Sequence, residues 1–339
     1  MKIITITLAP AVDVEYAVRD IKTGLNRCVS QKISAGGKGI NVARAVAECV
    51  RADCDAADAA DIKDITEVVA VFPAGGATGK MICAALEAEG IPFRAVEIDG
   101  CTRVNTSVIP ESGESVEINA PGTPIGRAAA EELERTVLGM AERGDVVAVC
   151  GSTPADLPKS YPAELCGRLR ERGIVTVLDC DGEALRSAVS ENCPAMLIKP
   201  NADELAELTG RRIDSYEDAM SAAEELLYRP GNGELTVITT MAGDGSVITR
   251  KSETGMIGAD EMSDGADYAD DTDDDPEDAD CAEVESTFFE TEKRPVVRLK
   301  GAGDTFLGAF LFAKYLRGGT NIQAMDYAGA VAGDYVSGE

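Results

Sequence analysis

The sequence predicts an α/β fold in which a central, mainly parallel sheet carries helices on both of its faces. Three observations lead to this prediction. Short apolar runs typical of strands alternate with helical runs along most of the 339 residues. Glycine-rich turns lead from extended runs into helical ones, as at residues 35–39 and 301–303. At least one strand run, residues 68–72, is apolar throughout, which is typical of a strand covered on both faces.

The N-terminal half alternates extended and helical runs. Residues 2–8 begin the chain as a strand, and the apolar positions after the glycine turn at 35–39 recur at helical spacing. The segment 73–79 is rich in glycine and reads as a loop, and residues 52–64 read as a polar surface excursion. The further strands are expected at 28–34 and 68–72, a helix at 80–89, and extended pieces at 92–98, 102–110 and 115–119 that could join the 14–34 region in a small sheet.

The C-terminal half continues the alternation. Apolar runs of strand length are followed by amphipathic helical runs, as βαβ units require. Strands are expected at 145–150, 174–178, 195–198, 235–240, 246–250 and 294–299, and helices at 126–143, 161–172, 182–189, 215–228, 306–316 and 322–336.

An acidic segment at residues 252–293 interrupts this pattern. Residues 256–292 contain 16 Asp and Glu and no Lys or Arg. High charge and few apolar residues predict disorder, and the spacing of the acids does not fit an EF-hand calcium loop. We therefore expect a single domain over residues 1–339 with a disordered insert at 252–293.

Composition excludes several classes of function. The chain contains no His, which removes Ser–His and Cys–His nucleophile systems and leaves a carboxylate as the expected general base. A net charge of −28 argues against nucleic acid as a partner. No stretch is apolar for long enough to span a bilayer, the first residues read as a strand, and the ten Cys are scattered singly, so we expect a cytoplasmic protein without a disulfide framework.

The glycine turn at 301–303 is the first candidate site. A helix that follows such a turn directs its free N–H groups and its positive dipole end at the space above the glycines, which favours an anion there. Asp304 comes next, where a carboxylate can accept a proton from an attacking hydroxyl. By itself this turn is equally typical of a plain connection between a strand and a helix.

Polar residues elsewhere are candidates of the same kind. Lys38 and Asn41 lie at the mouth of a helix after glycines, which suits an anion or a sugar hydroxyl, although a lysine on a flexible turn is usually solvated. Asp13 follows the first strand, where it could bind a ligand or simply cap a turn. Arg103 could bind an anion through its fork or face solvent. Asn201 is placed to cap a helix, with a capping box completed three residues later.

Several of these segments, taken in order, resemble the ribokinase-like (PfkB) family of carbohydrate kinases. Residues 36–44, GGKGINVAR, resemble its N-terminal signature, and residues 301–306, GAGDTF, resemble its C-terminal signature. Between them, segments at 151–154, 178–179, 199–204 and 240–245 match family segments. The resemblance implies a three-layer sandwich with a small β lid, whose strands would lie within about 10–35 and 100–120.

The resemblance also implies a site. Asp304 would be the base on the sugar hydroxyl, and Gly301, Ala302 and Gly303 would form the anion hole for the transferring phosphate. The residues that would hold the acceptor are Asp13, Gly37, Asn41 and Ser152, with Lys38 and Arg103 on the phosphate that it already carries. Those that would line the ATP site are Lys199, Asn201, Thr240, Gly243 and Gly245, with Glu204 acting on Mg²⁺ through water.

Within the family the chain resembles the phosphosugar branch. The implied reaction is ATP-dependent phosphorylation of a phosphohexose, and the GGKG turn favours fructose 1-phosphate as the acceptor. Residues 72–79 favour fructose 6-phosphate as the acceptor instead, and tagatose 6-phosphate is the third alternative. A non-catalytic sugar-phosphate sensor is the alternative from another class, since TMAGDG at 240–245 departs from the usual nucleotide loop. The resemblance further implies a homodimer formed through the lid.

Overall fold

The computed structural model describes residues 1–56, 67–113, 115–190, 192–252 and 283–338. Within these ranges the chain forms two sheets and the helices that cover them. The strands are β1 (Ile3–Thr7), β2 (Ala11–Val18), β3 (Cys28–Gly36), β4 (Val68–Ala74), β5 (Phe93–Glu97), β6 (Arg103–Pro110), β7 (Val116–Ile118), β8 (Val146–Cys150), β9 (Val175–Asp179), β10 (Leu197–Ile198), β11 (Thr236–Thr240), β12 (Gly245–Lys251) and β13 (Val284–Glu290). The helices are α1 (Lys38–Ala56), α2 (Gly76–Ala88), α3 (Gly126–Met140), α4 (Tyr161–Arg170), α5 (Gly182–Val189), α6 (Ala202–Thr209), α7 (Tyr216–Leu227), α8 (Ala302–Leu311), extended by a π-helical turn at Phe312–Leu316, and α9 (Asn321–Ser337).

The large sheet is the predicted, mainly parallel one. Its strands lie in the order β13-β12-β11-β10-β9-β8-β1-β4-β5, and all run in the same direction except β12, which is antiparallel to its neighbours β11 and β13. Every residue of β1 and β8 is buried, because helices cover both faces. Ile4 of β1 faces the core beneath α3–α7, and Ile3 faces the core beneath α1, α2, α8 and α9. The result is a three-layer sandwich.

The second sheet is small and lies in the order β3-β2-β6-β7. Paired residues share a face of a sheet, so Asp13, Ser34 and Asn105 lie on one side. Ile33 and Ile118 lie on the opposite side, which is apolar and exposed. The polar face therefore covers the interior of the molecule at the site described below, as a lid would.

Three expectations in the N-terminal half are wrong in detail. The segment 92–98 forms the edge strand β5 of the large sheet, since the crossover through α2 returns it parallel to β4. The helix α2 begins at Gly76, inside the predicted loop. The glycine at position 79, which suggested a loop, instead allows the helix to pack closely on β4, since a Cβ there would lie 2.9 Å from the carbonyl carbon of Ala74. The helix α1 runs to Ala56 through part of the predicted excursion, and residues 57–66 lie outside the described residues.

The prediction of a disordered insert at 252–293 is wrong for its last part. Val284–Glu290 forms β13, which pairs with β12 from Gly245–Glu290 to Lys251–Val284. Val284 and Phe288 pack against the core on one face of the sheet, so the segment has a strand pattern that its acidic surroundings obscured. Residues 253–282 lie outside the described residues.

The predicted strand at 294–299 is also wrong. This segment runs across the end of α9, where the N–H groups of Val297 and Arg298 both donate to Val336 O, at 2.8 and 3.1 Å. Pro295 has no N–H to offer a sheet, and Val297 and Leu299 are two-thirds exposed, so the segment has neither the donors nor the burial of an inner strand.

None of the helices in the described part of the chain is long and apolar enough to cross a membrane.

The close approach of β13 predicts that alanine lowers the stability of the protein at one of two nearby glycines and not at the other. Gly245 has φ +131°, and a Cβ there would collide with Phe289 O, whereas a Cβ on Gly243 meets nothing within 4 Å. We expect Gly245→Ala to lower the free energy of unfolding by roughly 1–3 kcal/mol or more, and Gly243→Ala to leave it nearly unchanged. Chemical denaturation of both variants measures this. Equal stability of the two would contradict the packing of β13 on this turn.

Candidate active site

The catalytic candidate Asp304 lies at the beginning of α8. Gly301 caps this helix at φ +88°, a conformation that favours glycine, and its missing side chain makes room for Tyr335, whose hydroxyl would be 2.8 Å from a Cβ. Asp304 is buried, and its Oδ2 accepts a hydrogen bond of 2.8 Å from Asn41 Nδ2. The structure thus brings together two residues that follow the two glycine turns.

The turn before Asp304 is shaped for an anion. The first amides of a helix have no partner within it, and in α8 these include the N–H groups of Gly303 and Asp304. The N–H of Ala302 donates to Leu299 O at 3.1 Å, so of the three predicted anion-hole residues this one has its amide engaged.

The environment of Asp304 makes it a better base than a free aspartate. Burial and then the charge of Asp179 raise its pKa, and the hydrogen bond from Asn41 and the charges of Lys199 and Lys38 lower it, so that the pKa is about 6. The carboxylate therefore holds a proton more readily than in water yet is mainly ionised at neutral pH. A pKa in this range suits general-base catalysis.

Asp179 is the site residue that the sequence did not assign. It ends β9 at the carboxyl edge of the parallel strands, and its side chain is fully buried. Its Oδ1 lies 3.3 Å from Lys38 Nζ and 3.6 Å from Lys199 Nζ. Its Oδ2 has no hydrogen-bond partner among the described residues. The available signal was its position directly after the apolar run 174–178; Asp13, which was expected near the end of the first strand, lies instead within β2.

Lys38 is surrounded by carboxylates. Its Nζ lies 3.3 Å from Asp179 and 3.7 Å from Glu204 Oε1. Burial lowers the pKa of Lys38, but the charges of Asp179, Glu204, Asp304 and Asp181 outweigh it and raise the pKa above its ordinary value. The ammonium is therefore firmly protonated.

The sequence paired Lys38 with Arg103, but the two have different partners. Arg103 donates to Ala9 O at 2.8 Å and to Ala120 O at 2.9 Å, and burial lowers its pKa. Its Nε has no partner in the described part of the chain. Both terminal nitrogens of the guanidinium are thus bound to backbone carbonyls, at the beginning of β6.

The lid supplies the polar groups above α8. Asp13 accepts a 2.9 Å hydrogen bond from Asn105, and its Oδ2 lies 3.2 Å from Lys300 Nζ. Gly37 opens α1 at φ +121°, and a Cβ there would lie 2.5 Å from Thr7 Cγ2. Asp13, Asn41, Lys300 and Gly301 all line a cavity of about 700 Å³ between the lid, α1 and the end of α9. Ser152 is turned towards Asp181, to which its hydroxyl donates at 3.3 Å.

The predicted nucleotide residues divide into two groups. Asn201 and Glu204 form the expected capping box of α6, and Lys199 reaches the start of α8, where a Cβ on Gly303 would lie 3.5 Å from its Nζ. Thr240 ends β11 and donates its N–H to Pro200 O, next to the turn that contains Gly243 and Gly245. A second cavity, of about 210 Å³, opens beyond that turn between β13 and α9, and residues that line it include Ser246, Phe289, Met325, Gly329 and Gly333.

Comparisons of this chain with a family profile and with known proteins agree on one family. The profile described as "pfkB family carbohydrate kinase" matches residues 2–260. The chain is 32% identical over 229 residues to the ATP-dependent 6-phosphofructokinase isozyme 2 of Escherichia coli, covering 67% of this chain and 69% of that protein. It is 33% identical over 251 residues to the 1-phosphofructokinase of Bacillus subtilis, covering 73% and 74%. A tagatose-6-phosphate kinase of Staphylococcus epidermidis is 31% identical over 222 residues, covering 65% and 66%.

Solved structures extend the likeness beyond residue 260. Phosphofructokinase-2 of Escherichia coli, in complex with substrates and products, superimposes with a TM-score of 0.78 at 26% identity, covering 99% of this chain and 93% of that one. A complex of the same enzyme with fructose-6-phosphate gives a TM-score of 0.75 at 27% identity, with the same coverage. The likeness therefore includes α8 and its glycine turn.

Proposed function

Because the chain belongs to the pfkB family of carbohydrate kinases and is a sugar-phosphate kinase, we propose that it transfers the terminal phosphate of ATP to fructose 1-phosphate. The products are then fructose 1,6-bisphosphate and ADP. The observation that carries the phosphoryl transfer is the buried pair of Asp304 and Asn41 at the beginning of α8. Two ammonium groups, of Lys38 and Lys199, lie beside it.

In this proposal Asp304 takes the proton of the attacking hydroxyl. Asn41 holds Oδ2 by its hydrogen bond and so leaves Oδ1 to accept from the substrate. The N-terminal amides of α8, with Lys38 and Lys199, provide the positive field in which charge moves onto the transferred group. Positioning and charge neutralisation are what phosphoryl transfer chiefly requires, so a carboxylate base suffices without His.

Lys38 is assigned here to the transferring phosphate. Its contacts with Asp179 and Glu204 support this position better than one on the phosphate that the acceptor already carries. Asp179 and Glu204 are oxygen ligands of the kind that Mg²⁺ prefers, and the unpartnered, buried Oδ2 of Asp179 fits a cation or its water. These two residues would hold Mg²⁺ through water, and the ion would neutralise phosphate charge when bound.

We assign the nucleotide to the part of the site that leads on from the end of β11. Thr240, Gly243 and Gly245 lead from the end of β11 to the cavity of about 210 Å³ between β13 and α9. Phe289 and Met325 offer apolar contacts there, and Ser246 offers a polar one, which is the usual character of a site for a flat ring system. We assign the purine of ATP to this cavity.

The choice between acceptors depends on two segments that point in different directions. The GGKG turn at 36–39 favours fructose 1-phosphate, and the segment 72–79 favours fructose 6-phosphate. The identities of 33%, 32% and 31% to the three kinds of relative are too close to separate them. Kinases for fructose 6-phosphate and tagatose 6-phosphate remain the alternatives.

The exposed face of the lid supports a homodimer. Ile33 and Ile118 are 50% and 62% exposed and share that face with Val14 and Val116 on neighbouring strands. An apolar sheet face of this kind is typical of a surface that associates with another protein. We assign it to a second copy of the chain.

The role of Asp304 predicts a large loss of turnover in Asp304→Asn, which keeps the shape but cannot accept the proton. We expect kcat to fall by roughly 10²–10⁴-fold, with little change in KM for the sugar phosphate. In the wild type, kcat at saturating acceptor should fall about tenfold per pH unit as the pH drops below about 6, because Asp304 then becomes protonated. Steady-state kinetics across pH measure both effects. Wild-type turnover in Asp304→Asn, with exposed Asp99→Asn as the control, would remove Asp304 from the mechanism.

The acceptor is tested by comparing kcat/KM for fructose 1-phosphate, fructose 6-phosphate and tagatose 6-phosphate in a coupled ADP-release assay. We expect fructose 1-phosphate to give the highest value. If fructose 6-phosphate is better by tenfold, which is about 1.4 kcal/mol of transition-state binding, the isomer assigned here is wrong and the family assignment is untouched.

The dimer is tested by Ile118→Asp, which puts a charge into the apolar lid face. Sedimentation should show a dimer for the wild type and a monomer for this variant, because burying an unpaired carboxylate opposes association. Glu117→Gln, on the opposite face of the same strand, should remain dimeric. A wild-type monomer at micromolar concentration would contradict the assignment.

A further inference from the structure

The residue directly before the glycine turn of α8 is a lysine that reaches into the large cavity. Lys300 Nζ lies 3.2 Å from Asp13 Oδ2. The carboxylate of Asp13 is enclosed, since Asn105 donates to its other oxygen and a Cβ on Gly36 would overlap it. This ion pair therefore lies at the base of the lid, directly beside the anion site.

The backbone of Lys300 is fixed by the last helix. The hydroxyl of Tyr335 donates to Lys300 O at 2.8 Å, and Arg298 stacks over the ring of Tyr335, with 4.8 Å between its guanidinium carbon and the ring centroid. The N–H of Arg298 is held by Val336. The segment thus presents the Lys300 side chain to the cavity from a defined position, although it is not part of a sheet.

Three other cations near the acceptor, Lys38, Arg103 and Arg44, already have partners. Lys38 lies between Asp179 and Glu204, and Arg103 is held by two backbone carbonyls. Arg44 is bound to Glu89 and Asn41. Lys300 has one ion pair in the described part of the chain and a side chain that is 36% exposed. An ammonium has three donors, so Lys300 has donors left for a second anion.

We propose that Lys300 binds the phosphate already present on the acceptor, and that its ion pair with Asp13 selects against sugars without one. This inference rests on the proposed function. A phosphorylated sugar offers its phosphate to Lys300 in exchange for Asp13, which releases the carboxylate to accept from a sugar hydroxyl. An unphosphorylated sugar must separate the ion pair without giving Lys300 a new partner. Selection of this kind works by leaving a charge unpaired when the wrong ligand binds.

The test compares wild type with Lys300→Gln and Lys300→Arg. Glutamine can still donate to Asp13 but carries no charge, so Asp13 keeps a partner and the fold is preserved. For Lys300→Gln we expect kcat/KM for the preferred sugar phosphate to fall by about tenfold or more, since a charge-assisted contact is lost. We expect kcat/KM for free fructose to stay the same or rise, and KM for ATP to stay unchanged. Lys300→Arg should recover most of the preference, and exposed Lys80→Met on α2 should not alter it.

The outcomes separate this inference from the proposed function. Equal losses for phosphorylated and free sugar would show that Lys300 only supports Asp13, and unchanged kinetics would show that it does not bind the acceptor; either result overturns the inference. If the wild type phosphorylates none of these sugars, the proposed function fails by itself. Calorimetric binding of fructose 1-phosphate and fructose 6-phosphate without ATP then decides: weaker binding to Lys300→Gln supports the phosphate contact, and equal or no binding to both proteins overturns it.

Discussion

The site depends on one fully buried carboxylate that faces two ammonium groups. Asp179 has no exposure of its side chain, and Lys38 and Lys199 both approach the same oxygen. A buried charge of this kind costs several kcal/mol unless it is paired, so the three side chains stabilise one another where none would be stable alone. The same cluster tunes the pKa of Asp304, which burial and the charge of Asp179 raise and the charges of Lys199 and Lys38 lower. Position, protonation and positive field therefore have a common origin.

The fold explains why these groups meet. Asp179 ends a central strand of the large sheet, Lys199 lies between β10 and α6, Lys38 begins α1 and Asp304 begins α8. In a parallel sheet the carboxyl ends of the strands and the N-termini of the following helices share one edge. Residues separated by up to 263 positions, such as Asn41 and Asp304, thereby come within hydrogen-bonding distance. The positive ends of α1 and α8 converge on the same small volume, which offsets part of the repulsion between its carboxylates.

A second layer of contacts holds the proposed reacting groups in place. Arg44 donates to Asn41 Oδ1 and is itself bound by Glu89 at the end of α2, so the amide that orients Asp304 cannot flip freely. The last helix, α9, positions the glycine turn of α8 in a similar way, because the hydroxyl of Tyr335 donates a hydrogen bond to the carbonyl of Lys300 beside that turn. Arg44 and Tyr335 therefore act through Asn41 and Lys300, the residues that they hold. Both limit the number of arrangements that the site can adopt, which is what positioning catalysis requires.

The amino-acid sequence by itself determined the class of fold, most of the helices and strands, the family, and the two glycine turns that meet at Asp304. These depend on local patterns: period-two and period-3.6 apolar spacing, and glycine where a turn needs positive φ. It also predicted the capping box of Asn201 and Glu204, which involves neighbours three residues apart. Only the tertiary structure decided the partners of Lys38, Arg103 and Lys300, the importance of Asp179, and the sheets that contain β5 and β13. Which charge pairs with which is set by distances between residues far apart in the chain, and no local pattern encodes those distances.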